Sequence, residues 1–101
     1  DETLDKGNSY LKRALPIFEE IQYNDGIGIC LLNMGNSYMR QAKYDSALIN
    51  LQLALTTFDN QAYLASVLNK IGLVYMEMDD YQKSIVRLQH AMPMDYSSLM
   101  N

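Results

Sequence analysis

The stretch 31–58, LLNMGNSYMRQAKYDSALINLQLALTTF, returns on both sides of itself, and that recurrence limits what the chain can fold into. Shifted forward by 37 residues, Leu31 falls on Leu68, Gly35 on Gly72, Tyr38 on Tyr75, Met39 on Met76, Tyr44 on Tyr81, Leu51 on Leu88, Gln52 on Gln89 and Ala54 on Ala91. Shifted back by 40, Leu51 falls on Leu11, Ala54 on Ala14, Leu55 on Leu15 and Phe58 on Phe18. Periods in this range belong to stacked repeats, in which no unit covers its own apolar face without a neighbour.

Taken in order, residues 3–22 place Leu4, Gly7, Leu11, Ala14, Leu15 and Phe18 at three- and four-residue spacings, the stripe of an amphipathic helix. Gly7 stands where Ala47 stands in the central unit, so this is read as the second helix of an incomplete repeat. Pro16 removes a backbone donor inside it and predicts a kink or an early end near Leu15. The combined shift of 77 takes Pro16 onto Pro93. The turn Tyr23-Asn24-Asp25-Gly26 offers Asn24 or Asp25 as a cap for the next helix, expected from Gly26 to Gln41. After Gln41-Ala42-Lys43 the stripe resumes with Ala47, Leu48, Leu51, Ala54 and Leu55 to Phe58, giving a complete repeat over 26–58. Asp59-Asn60 is the next turn, and 61–92 is expected to be a second complete repeat. Its first helix runs to Met78, Asp79-Asp80 cap its second, and that second helix runs from Tyr81 to Met92. Residues 93–101 read as a turn and the frayed start of another helix. No stretch alternates apolar and polar residues as a strand would, so five helices and no sheet are expected.

Composition narrows the function. Apolar residues are 49% and charged residues 20% of the 101, enough to bury a single modest core and inconsistent with a disordered chain. A formal net charge of -4 with scattered Lys and Arg argues against a nucleic-acid or anionic-membrane surface, and no apolar run is long enough to span a bilayer. The lone Cys30 allows no intrachain disulfide and no thiolate cluster, and it lies among apolar residues as a buried thiol would. The acidic start is no signal peptide, which gives a cytoplasmic expectation. Because the sequence opens on Asp1, a longer parent chain is also expected, and periplasmic or extracellular placement stays open.

At Leu31, Met34-Gly35, Tyr38, Ala47, Leu51 and Ala54 the sequence resembles the tetratricopeptide repeat, a helix-turn-helix unit, and the pattern recurs at Leu68, Ile71-Gly72, Tyr75, Ser84, Leu88 and Ala91. Leu31 stands where the family usually has Trp. Gly35 with Ala47 and Gly72 with Ser84 can each bring two small residues together where antiparallel helices cross, with Tyr38, Tyr44, Tyr75 and Tyr81 filling space beside the turns. The Gly-Ile-Gly-Ile run at 26–29 followed by Leu-Asn-Met-Gly-Asn is similar to the roughly 40-residue repeats of bacterial signalling regulators and sensors. The resemblance implies an all-α fold of antiparallel helix-turn-helix repeats stacked as a short right-handed superhelical solenoid. It also implies a scaffold whose first helices line a concave groove for a peptide or a partner's helix. Counted from Gly35, the groove wall would be Leu32, Asn33, Asn36, Met39 and Arg40. Counted from Gly72, it would be Asn69, Lys70, Leu73, Met76 and Glu77. Asparagines can bond both the amide and the carbonyl of a peptide, and methionines supply adaptable apolar contact. Of the carboxylate clamp found in some members, only Asn36 and Lys70 have counterparts, and Leu32 replaces a needed lysine.

A protein or peptide partner is therefore the expectation, with a structural spacer in a longer solenoid as the alternative. No His pair, Gly-rich phosphate loop or nucleophile with a base at a recognisable spacing suggests an enzyme, a cofactor or a metal. Glu19-Glu20 point in different directions on a helix, and Asp79-Asp80 lack a surrounding oxygen-ligand loop. The terminal helices, with Leu4, Leu11 and Leu15 at one end and Ile85, Leu88 and Met92 at the other, lack covering units, so homodimers or end-to-end association are expected.

Overall fold

Two connections in this chain close in the same way, and they set the path of everything between them. In the computed structural model, which describes residues 2–91, Gln22 and Ala42 both take left-handed backbone conformations, with φ of 57° and 58°. Around the first, the Tyr23 N–H donates to the Phe18 carbonyl at 2.9 Å and the Gln22 N–H to Glu19 at 3.1 Å. Around the second, Lys43 donates to Tyr38 at 2.9 Å and Ala42 to Met39 at 3.0 Å. This is the Schellman pattern, which satisfies carbonyls a helix end leaves open. A side chain in the left-handed region costs about 1–2 kcal/mol, which the bonds and packing on either side offset.

The elements are α1 (Glu2–Glu20), α2 (Asn24–Arg40), α3 (Tyr44–Thr57) and α4 (Gln61–Ala91), and the described residues contain no strand. Short turns send α2 back against α1 and α3 back against α2. α4 then packs on α3 and also touches α2. The whole is elongated, 61 × 28 × 20 Å. Among the described residues the fold is all-helical, with four helices where five were expected. Met92 and the expected tail 93–101 lie outside the described residues, as do the side chains of Leu4 and Ala91.

Three local expectations change. α1 runs through Pro16 to Glu20 and does not end near Leu15, because Pro16 is exposed and forfeits only one backbone bond. Neither Asn24 nor Asp25 caps α2, whose N-cap position is Tyr23 with no side-chain bond. Asp79-Asp80 begin no helix, because α4 passes straight through them. Inside α4, Asp79 pairs with Lys83 at 3.0 Å, an i,i+4 contact that adds modest support to a continuous helix, and the Ser84 hydroxyl donates back to the Asp80 carbonyl at 2.9 Å. The crossing expected between Gly72 and Ser84 is therefore absent. Tyr81 meets Tyr44 edge-on, with ring centroids 6.2 Å apart, and does not fill a turn beside Tyr75.

The core is Ala47, Leu51, Ala54 and Phe58 of the α3 segment with Val67 and Val74 of α4, and Cys30 of α2 is also buried. α2 approaches it through glycines. A Cβ on Gly28 would lie 2.7 Å from the Phe58 ring. One on Gly35 would lie 2.8 Å from Leu51 and 3.3 Å from the Ala47 carbonyl oxygen. The expected Gly35–Ala47 crossing is thus present, while a Cβ on Gly72 would meet nothing within 4 Å. Gly28→Ala should lower stability by about 1–3 kcal/mol through overpacking against Phe58. Gly72→Ala should raise it by up to about 1 kcal/mol, since alanine is the better helix former where there is room. Thermal melts of the two variants check this, and shifts of like sign would contradict it.

Candidate binding surface

α2 presents one side to α3 and the opposite side to α1, and the expected groove residues divide between them. Leu32 and Met39 pack against the core cluster and are partly buried, so they form no free wall. Helical spacing turns them toward the Gly35 side, where α3 lies. Asn33, Asn36 and Arg40 turn the other way and line an open cleft of about 220 Å³ with Gly7, Asn8 and Leu11 of α1.

In that cleft the side-chain amides of Asn8, Asn33 and Asn36 make no hydrogen bond within the described residues, which leaves a donor and an acceptor open on each. Arg40 makes no ion pair among the described residues. Gly7 keeps the floor low, and Leu11 supplies an apolar edge. The arrangement suits an extended backbone, whose alternating N–H and C=O groups match asparagine amides, with Arg40 available to an acidic group.

The second half of the expected wall lies elsewhere. Asn69, Leu73 and Met76 are exposed on α4, Met76 to 64%, and Lys70 is half-buried. None of them lines the α1–α2 cleft. A second open cleft, about 400 Å³, lies between Lys43, Tyr44 and Asp45 at the start of α3 and Met78, Tyr81 and Gln82 of α4.

Two features escaped the sequence reading. The first is a clamp between the start of α2 and the turn before α4: the Asp25 carboxylate accepts from the Asp59 and Asn60 amides at 2.8 and 3.2 Å, and the Asn24 amide donates to Asp59 at 3.2 Å. Asn60 in turn caps α4 through the Ala62 N–H at 2.9 Å. The second is a repeated aromatic pair: Phe18 meets Tyr23 edge-on at 5.6 Å and Phe58 stacks on Tyr63 at 4.7 Å. Both members recur at the 40-residue shift that relates Phe18 to Phe58, which was the available signal.

Cys30 is 1% exposed, and burial pushes its thiol pKa up. Among the described residues no three His, Cys, Asp or Glu come together to hold a metal, and no helix is long and apolar enough to cross a membrane. Compared with known proteins, the chain matches no family model, no curated protein and no solved structure.

The thiolate is the reactive form of cysteine, so burial and a raised pKa act together on Cys30. Alkylation of the folded protein at mildly alkaline pH should be slower than in denaturant by an order of magnitude or more. Equal rates, followed by mass spectrometry, would show that α2 opens freely.

Proposed function

We propose that this chain is a helical-repeat recognition module that binds an extended peptide or a partner's segment, as a non-catalytic scaffold without a cofactor. The observation that carries the reading is the α1–α2 cleft, where Asn8, Asn33 and Asn36 hold unbonded amides beside Leu11 and the Arg40 cation. The tetratricopeptide-like spacing of Gly35, Tyr38, Ala47 and Leu51 supports it, as does the packing of Gly35 against Leu51 and Ala47. On this reading the helices form a short right-handed stack within a larger regulatory or signalling protein. A cytoplasmic setting is part of this reading.

A net hydrogen bond contributes about 0.5–1.5 kcal/mol, so removing two amides should weaken a peptide by roughly tenfold. Screening the protein against a peptide library and then testing Asn33→Ala with Asn36→Ala checks this. Stability should change by no more than about 0.5 kcal/mol, since Asn33 is exposed and Asn36 only partly buried. A bound peptide indifferent to both changes would move the site elsewhere.

A spacer role is the second reading, favoured by the exposed Leu68, Tyr75 and Leu88 of α4, which a following unit could cover. The same surfaces, with the half-buried Leu11 and Leu15 of α1, support association of two copies through terminal helices. Sedimentation across the micromolar range should then show a concentration-dependent dimer. A monomer throughout would remove self-association from the proposal.

A further inference from the structure

α4 contains a turn that it does not make. The 37-residue shift lays Gln41-Ala42-Lys43, where α2 ends and α3 begins, onto Met78-Asp79-Asp80 in the middle of a continuous helix. At the first of these places Ala42 adopts φ 58° and Lys43 occupies the N-cap of α3 without a side-chain bond. Both are poor choices for their positions. Asp79 and Asp80 are better ones, since aspartate enters the left-handed region more readily than alanine and is a preferred N-cap where lysine is not. The sequence that stays helical is thus better suited to the turn than the sequence that turns.

The surfaces on either side agree. In the folded hairpin, Gly35 receives Leu51 and the Ala47 carbonyl, with Leu31 and Tyr38 packed beside them. The matching Gly72 is an empty notch, flanked by Leu68 and Tyr75, which are 56% and 52% exposed. The residues matching Ala47 and Leu51 are Ser84 and Leu88, and Leu88 is 63% exposed at the far end of the same helix. Two complementary apolar surfaces therefore stand apart on one rod, held so by helical continuity and by the exposed Asp79–Lys83 pair. An exposed pair of this kind is a weak lock.

We infer that α4 is a two-state element, in which the arm 81–91 can fold back about 78–80 and seat Leu88 and Ser84 on Gly72 as Leu51 and Ala47 seat on Gly35. The extended state exposes both the Leu68–Tyr75 surface and Leu88, and the hairpin covers them against each other. The protein can thereby present or withdraw these apolar residues by moving one helical arm, with the Tyr81–Tyr44 contact to α3 at its hinge. The inference is independent of any ligand in the α1–α2 cleft.

Spin labels at Ser66→Cys and Gln89→Cys, both exposed, with Cys30→Ser to leave two sites, read the arm directly. The extended helix separates them by roughly 35 Å at 1.5 Å per residue. The hairpin brings the two helix axes to about 8–10 Å and the labels to well under half the extended distance. Pulsed dipolar spectroscopy should show both populations. Asp79→Gly, which frees the turn, should enlarge the short one, and Gly72→Leu, which fills the notch, should abolish it while keeping the long one. A single distance, long or short, shared by the parent protein and Asp79→Gly overturns the inference. So does a short distance that survives Gly72→Leu.

Discussion

The close approach of α3 to the glycines of α2 is the contact on which the other packing depends. Gly28 leaves space for the Phe58 ring, and Gly35 leaves space for Leu51 beneath the Ala47 carbonyl. Burying a leucine or phenylalanine contributes about 1.5–3 kcal/mol, and here both are nearly inaccessible because no Cβ holds the backbones apart. Seated in this way, Phe58 carries Tyr63 against itself and so fixes where α4 leaves the α3 turn. On the opposite side Gly26 does the same for Phe18 and Tyr23, which dock α1. α2 is thus approached closely on two sides, and α1 and α4 are positioned through the aromatic pairs at its two flanking turns.

Much of this could be read in the sequence where one contact repeats another. The Gly35–Ala47 crossing, the break at Gln41-Ala42-Lys43 and the burial of Cys30 agree with the sequence reading, whereas the same spacing of small residues at Gly72 and Ser84 gives no crossing, because α4 stays straight between them. What escaped was decided by competition between equal local options. Asp79-Asp80 can cap a helix or sit inside one, and the exposed pair with Lys83 adds only a small preference for the second. Asp25 can cap its own helix or bond the next turn, and only the tertiary position of Asp59 and Asn60 decides. The groove wall was partly legible. Asn33, Asn36 and Arg40 share a cleft, but their partners come from α1 and not from α4, since Leu32 and Met39 are drawn into the core.

The two ends of the molecule consequently differ in character. At α1–α2 the surface is polar and concave, with side-chain amides that make no hydrogen bond among the described residues. Along α4 the large apolar side chains of Leu68, Tyr75, Met76 and Leu88 stand in water. On the function proposed above, recognition would use the first and association the second. Their separation follows from one cause: α2 and α3 fold back on each other about 41–43, whereas α4 runs straight through 78–80.

Stability should be graded along the chain in the same order, and native-state hydrogen exchange resolves it residue by residue. If the glycine-lined faces of α2 hold the fold, amides within 29–38 and 48–55 should open only with global unfolding, while those of 82–91 should exchange far faster. Protection in 82–91 equal to that of α2, or an α2 that exchanges as readily as the α4 arm, would contradict the central place given to α2.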